Sequence, residues 1–137
     1  MRENIGLYRG KRKDNGEWVV GYLTVSGDDD VTLVIDYFAR TVQCYCQTDV
    51  DPETVGECSG VPDKDGVNIY EGDILKITYL CQKPVTAIVE FADGKFTARY
   101  TRSGKEHIDN LSETVSDLYK ILGTIHDNPE LLTQKNI

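Results

Sequence analysis

No apolar run in this chain approaches the roughly 20 residues that a bilayer-crossing helix needs, and its first residues, Met1-Arg2-Glu3-Asn4, lack the apolar core of a secretion signal. The expected compartment is therefore the cytoplasm, with no membrane partner. Cysteine is sparse: Cys44, Cys46, Cys58 and Cys81 contain no Cys-x-x-Cys pair. A chain of 137 residues buries enough surface to fold without disulfides, so free thiols are expected. His107 and His126 are the only histidines, and no serine sits in a glycine-flanked elbow, which removes the local signature of a Ser-His triad. A Gly-Lys-Ser or Gly-Lys-Thr ending is also missing, so a nucleotide-cradling P-loop is excluded. No cofactor is expected.

Helix-period segments are scarce as well, and alternation with a period of two takes their place. With 39% apolar and 28% charged residues the composition is that of an ordinary globular domain. Residues 5–9 and 17–25 flank Asp14-Asn15-Gly16, a hairpin turn signal. Trp18, in the second of these segments, reads as a core or interface anchor. Ser26-Gly27-Asp28-Asp29-Asp30 predicts a turn, and 31–38 and 41–47 two more strands. From Thr48 to Gly66 the density of Gly, Pro and Asp predicts an irregular loop, and a stretch of that length is a candidate functional segment. Strands are expected again over 74–80, 85–91 and 95–101, with a turn at Ala92-Asp93-Gly94. A helical turn over 110–114 and a strand over 118–125 follow. Asn128 then caps a turn opened by Pro129 that packs Leu131 and Leu132 inward, and the last five residues fray.

The predicted fold is mainly β: antiparallel strands forming a small SH3-like barrel, with an N-terminal β-hairpin extension and little helix. The predicted organisation is one domain over 1–137, made of a β part over about 1–50, a turn-rich connector over 51–72 and the barrel over 73–132.

Charge is unevenly placed. Residues 1–25 hold five Lys and Arg against three Asp and Glu, 26–66 two against ten, and 67–137 eight against ten, for a net charge of -8. An acidic surface repels phosphate backbones, so direct nucleic-acid binding is not expected and would have to rely on Arg9, Lys11, Arg12 and Lys13. The simpler account of that stretch is a hairpin edge protected by charge. Cys44 and Cys46, two apart on a strand, share a face and could join Cys58, Cys81 or His126 around a soft metal. Buried cysteine as a small hydrophobe is the simpler account here too. Eight tyrosines suit either half-buried strand positions or a binding surface.

Three stretches resemble one family. They are Tyr8-Arg9-Gly10-Lys11-Arg12 with Gly16-Glu17-Trp18-Val19-Val20-Gly21-Tyr22; Pro52 to Leu75; and Leu122 to Leu132. The middle stretch is the most specific. It runs Glu53-Thr54-Val55-Gly56, Gly60, Asp63-Lys64-Asp65-Gly66 and Tyr70-Glu71-Gly72-Asp73, and is similar throughout to the pattern of the YopX family. Cys58 and His126 depart from it, standing where an aromatic residue and a tyrosine are common.

The resemblance implies a mostly β fold, carriage by phages, prophages and integrated elements, and self-association into a homo-oligomer. Together with the acidic, turn-rich segment it motivates an accessory protein of a bacterial host cell that presents loops, Thr48 to Gly66 among them, to a host or phage protein. The resemblance implies no catalytic activity. The motif residues Gly16, Trp18, Gly21, Glu53, Thr54, Gly56, Gly60, Asp63, Gly66, Tyr70, Glu71, Gly72, Asp73, Asn128 and Pro129 are the candidate structural or interaction residues. Two other function classes compete. One is an acidic decoy that mimics DNA, suggested by the charge of 26–66. The other is a metal- or carboxylate-dependent enzyme, which needs Glu71, Asp73, His126 or cysteines to converge in a pocket.

Overall fold

Alternating sequence becomes sheet. The computed structural model describes residues 6–25, 31–39 and 42–132, of which 25, 31–39 and 42–47 are described in backbone only. The predicted turn at 26–30, the thiols of Cys44 and Cys46, and the fraying of 133–137 lie outside that description. Among the described residues, eleven strands and three short 3-10 turns account for the regular structure. The chain divides into two compact units, Met1–Cys58 and Ser59–Ile137.

In the first unit β1 (Leu7–Lys11), β2 (Trp18–Val25), β3 (Val31–Ala39) and β4 (Val42–Asp49) form an antiparallel meander, and β5 (Gly56–Pro62) begins on the other side of β1. Lys11 faces Trp18, Arg9 faces Val20 and Leu7 faces Tyr22, while Gly56 faces Arg9 from β5. The hairpin differs from the tight turn expected. Its loop runs from Arg12 to Glu17, and only Gly16 takes a left-handed φ, of 73°. Asn15 instead accepts the Glu17 amide on its side chain at 2.9 Å. Residues 49–51 then run beside the end of β1, with the Lys13 amide on the Asp49 carbonyl and the Asp51 amide on the Lys11 carbonyl. Val50, fully buried, packs on the bare backbone of Gly10, where a Cβ would lie 3.1 Å from its own.

The irregular loop expected from Thr48 to Gly66 is largely ordered. β4 continues to Asp49, a 3-10 turn spans Pro52–Thr54, and β5 occupies Gly56–Pro62. Gly60, with φ 79°, is absorbed inside that strand, which is why its glycine spacing reads as turn.

In the second unit β5 continues beside β6 (Asn68–Tyr70), and a five-stranded antiparallel sheet follows in the order β10-β9-β8-β7-β11. Its strands are β7 (Asp73–Ile77), β8 (Val85–Ala92), β9 (Lys95–Arg102), β10 (Lys105–Asn110) and β11 (Tyr119–Thr124). The β8–β9 and β9–β10 hairpins turn on Asp93-Gly94 and Ser103-Gly104, each pair with both φ values positive, the two-residue geometry that matches strand twist. Leu75, Ile77, Val85, Ala87, Val89, Ala98 and Tyr119 form the core together with Val61 and Ile69. Each fully buried aliphatic side chain there contributes about 2 kcal/mol relative to exposure.

The fold class is mainly β as predicted, but the barrel is not closed, because among the described residues β10 and β11 remain the two ends of the sheet. The predicted helical turn lies slightly later, over Glu113–Leu118, and the last 3-10 turn spans Pro129–Leu132. Leu131 is half-buried, but Leu132 is exposed rather than packed inward. Among the described residues no helix is long and apolar enough to cross a membrane.

Candidate functional site

The Pro52 to Asp73 block carries the densest motif, and several of its polar side chains serve backbone groups, in the block itself and in the strands beside it. Asp51 accepts the Glu53 amide, and Thr54 Oγ1 accepts the Lys11 amide at 2.8 Å while donating to the Asp51 carbonyl at 2.7 Å. Thr54 thereby ties the 3-10 turn to β1 across 43 residues. Buried Ser59 plays a similar part in the second unit, its hydroxyl accepting the Val61 amide and donating to the Ile69 carbonyl.

Asp63 is 3% exposed and serves three amides at once. Oδ1 accepts from Asp65 and Val67 at 2.9 and 3.0 Å, shaping the turn that Gly66 completes with φ 82°. Oδ2 accepts the Ile121 amide at 3.3 Å, and the Lys64 amide donates to the Tyr119 carbonyl. The turn therefore covers the outer edge of β11, where a further strand would otherwise pair. A salt bridge of 2.5 Å between Lys120 and Asp65 adds to it. Both of these side chains are exposed; the hydrogen bond and charge of Lys120 lower the Asp65 pKa, and the hydrogen bond and charge of Asp65 raise that of Lys120.

Asp73, 1% exposed, accepts the Tyr70 amide at 2.8 Å. Between them Gly72, with φ 93°, donates its amide to the Val89 carbonyl and receives the Ile125 amide on its own carbonyl. Glu71 is half-buried in the same turn. Asn128 Oδ1 accepts the Thr124 amide at 3.3 Å, and the backbone carbonyl of Asn128 takes the Leu131 amide above Pro129. Thr124 in turn accepts the His126 and Asp127 amides on its hydroxyl. Gly21 is buried opposite Tyr8.

Among the described residues no group of three or more His, Cys, Asp or Glu side chains is placed to hold a metal. Cys58 is buried and Cys81 exposed. Of the ten acids between 26 and 66, Asp63 is buried and Asp65 is paired, so neither contributes to an outward acidic stripe.

Sequence reasoning missed one cluster. Tyr79 and Tyr100 both donate their hydroxyls to Oδ2 of Asp109, at 2.5 and 3.1 Å. Arg102 stands over both rings, 5.6 and 5.9 Å from their centres, and donates to the Lys83 carbonyl, while His107 stacks on Tyr100 at 5.3 Å. Burial, followed by the hydrogen bond to Asp109, pushes the Tyr79 hydroxyl well above its ordinary pKa. The available signal was the alternation of Tyr100 with Arg102 and of His107 with Asp109, which puts each pair on one face of its strand. The cluster closes one end of the second unit's core and fixes the segment between β7 and β8.

A third arrangement lies on the first hairpin. Arg9 and Lys11 stand over the Trp18 ring, 4.7 and 5.4 Å from its centre, so Trp18 is a half-buried platform for two cations rather than a core residue. Val20 and Tyr22 continue the same face at 43% and 49% exposure. Beyond the hairpin loop a shallow basin of about 220 Å³ is lined by Arg12, Lys13, Asp14, Thr48 and Asp49. Arg12 is held there by Asp14 at 2.7 Å.

Comparison with known proteins agrees with this architecture. The chain resembles the solved structure of protein yopX from Bacillus subtilis with a TM-score of 0.58 and 20% identity, covering 96% of this chain and 99% of that one. It resembles protein EF1440 from Enterococcus faecalis with a TM-score of 0.53 and 22% identity, covering 91% and 96%. At such identities the likeness speaks for the fold alone. None of the curated proteins compared matches the chain. The family model described as YopX protein matches residues 7–133, nearly the whole length, and the chain belongs to the YopX family.

Proposed function

We propose that this chain is an accessory module of phages, prophages or integrated elements that assembles with itself and binds a host or phage protein, with no chemistry of its own. Family membership supports the setting, and the use of the motif carboxylates on their own backbone supports a binding role over a catalytic one. The observation that carries the assembly is the contrast between the two ends of the five-stranded sheet. Asp63 and Lys64 cover β11, whereas β10 pairs with β9 alone among the described residues and holds Ile108 at 61% exposure. A strand end with an apolar side chain in water is a template for another strand.

Sedimentation velocity over a wide concentration range tests this. The expected result is a species heavier than one chain that Ile108→Lys returns to monomer. Monomer alone at high concentration overturns the proposal.

A further inference from the structure

We propose that β10 pairs with β10 of a second copy about a two-fold axis at Ile108, and that the partner's His107 thereby joins the tyrosine cluster by bonding Asp109. This rests on the reading of β10 as the assembling end of the sheet, and adds to it a register and a residue contributed from across the interface.

The hairpin fixes which way the backbone of β10 faces. Ser103 and Gly104, both with positive φ, form a two-residue turn, so Arg102 and Lys105 are a hydrogen-bonded pair. The Leu111 amide, donated to the Phe96 carbonyl, continues the same alternation to the far end. Lys105, His107 and Asp109 therefore turn their backbone groups toward β9, while Glu106, Ile108 and Asn110 turn theirs outward. Side chains directly opposite each other must share a face of the sheet, so a two-fold axis between copies passes through one residue and its own counterpart.

Positions 106 to 109 keep most of the strand paired and compete for that axis. At Glu106 or Asp109 it sets two carboxylates directly opposite each other, which is repulsive. At His107 it sets the Glu106 carboxylate against the partner's Ile108. At Ile108 every pair is complementary: Ile108 meets its own copy, Glu106 meets the amide of the partner's Asn110, and His107 meets the partner's Asp109. Ile108, 61% exposed in one chain, is then covered. Arg99, opposite it on β9, brings no unmatched charge because Glu90 and Glu106 hold its guanidinium.

Asp109 is prepared for this contact. Tyr79 and Tyr100 both donate to its Oδ2, and among the described residues its Oδ1 takes no bond. His107 is held flat on the Tyr100 ring, 5.3 Å between centres and 18° between planes, which lowers the cost of ordering it. His107 and the partner's Asp109 form a non-hydrogen-bonded pair, the kind that approaches to about 4.5 Å between Cα atoms. Lys105 lies diagonal to the same carboxylate and adds attraction. Assembly and the segment between β7 and β8 are thereby coupled, because the carboxylate that fixes Tyr79 is the one the partner's His107 binds.

The test is disulfide mapping in a Cys81→Ser chain, which lacks the exposed thiol and, without an added cysteine, sets the background. Under mild oxidation Ile108→Cys links two chains, since its copies lie about 5.5 Å apart between Cα atoms. His107→Cys and Asp109→Cys do not link alone, but link to each other when mixed. In sedimentation His107→Asp raises the dissociation constant by about tenfold or more, since it sets two pairs of like charges opposite each other.

Linking of His107→Cys to itself overturns the register, as does linking in none of the variants or a dissociation constant unchanged in His107→Asp. Those outcomes leave the assembling edge standing wherever sedimentation still finds a dimer that Ile108→Lys splits. A parent chain that stays monomeric removes the edge, and this pairing with it.

Discussion

The Asn128 side chain lies directly over Gly123, where a Cβ would come 2.7 Å from the amide carbon of Asn128 and 3.0 Å from its Cβ. This contact occurs where β11 shifts register against β7, between Ile121 and Gly123. Gly123→Ala should destabilise the chain by about 1–3 kcal/mol through overpacking, and by more if the Thr124 amide loses its acceptor. The double variant Gly123→Ala/Asn128→Ala should cost less than the sum of its parts, because removing the Asn128 amide also removes the clash. Urea unfolding of the three variants measures this coupling.

The tyrosine cluster makes a graded prediction. Tyr79→Phe removes one of two donors to Asp109 and should cost about 1 kcal/mol, whereas Asp109→Ala leaves both hydroxyls without that acceptor and should cost about 2 kcal/mol. Thermal unfolding with enough heat-capacity data to convert midpoints to free energies distinguishes the two. Equal losses would show that Tyr79 alone matters.

Alkaline titration follows from the same cluster. Burial raises the Tyr79 pKa, assisted by its bond to Asp109, and burial also raises that of Tyr119. A group whose folded pKa is raised contributes stability that is present below its unfolded value and is lost as pH rises toward the folded one. Stability should therefore fall from about pH 10 upward, the ordinary tyrosine range. Phenolate absorbance should show Tyr79 and Tyr119 ionising after the exposed tyrosines, and Tyr79→Phe should remove one late step.

At the acidic side Asp65 behaves in the opposite sense. Its pKa is lowered first by the hydrogen bond from Lys120 and then by that charge, so its stabilisation is present above the unfolded carboxylate value and disappears as pH falls through the folded one. Both side chains are exposed, so the effect is small and weakens with salt. Carboxyl-carbon NMR should show Asp65 returning to the ordinary range in Lys120→Met.

How far the sequence revealed this structure depended on which force set each element. Strands that bury one face announced themselves, so 85–91 and 95–101 correspond closely to β8 and β9; the expected strand over 74–80 overruns β7, which ends at Ile77 and leaves the apolar Leu80 exposed in the following turn. β10 was illegible because Lys105-Glu106-His107-Ile108-Asp109-Asn110 lies at the sheet end and needs no apolar alternation; Ser103-Gly104 folds it back onto β9. β5 and β6 were hidden by the glycines and Asp63 that look like loop until Asp63 is seen serving amides as distant as Ile121. The basic stretch was visible, but its partnership with Trp18 required the register of the hairpin. The Tyr79–Asp109 bond spans 30 residues, beyond any local pattern.

The central claim is that the most specific stretch of the family motif is a folding device whose carboxylates hold backbone. Native-state hydrogen exchange on Asp63→Ala tests it most directly, read at the Ile121 amide alongside global stability. The expected result is faster exchange at Ile121 and a loss of about 3 kcal/mol, as three amides lose one acceptor. Protection at Ile121 and stability both equal to those of the parent chain would contradict the claim and return Asp63 to the candidates for a binding or catalytic role.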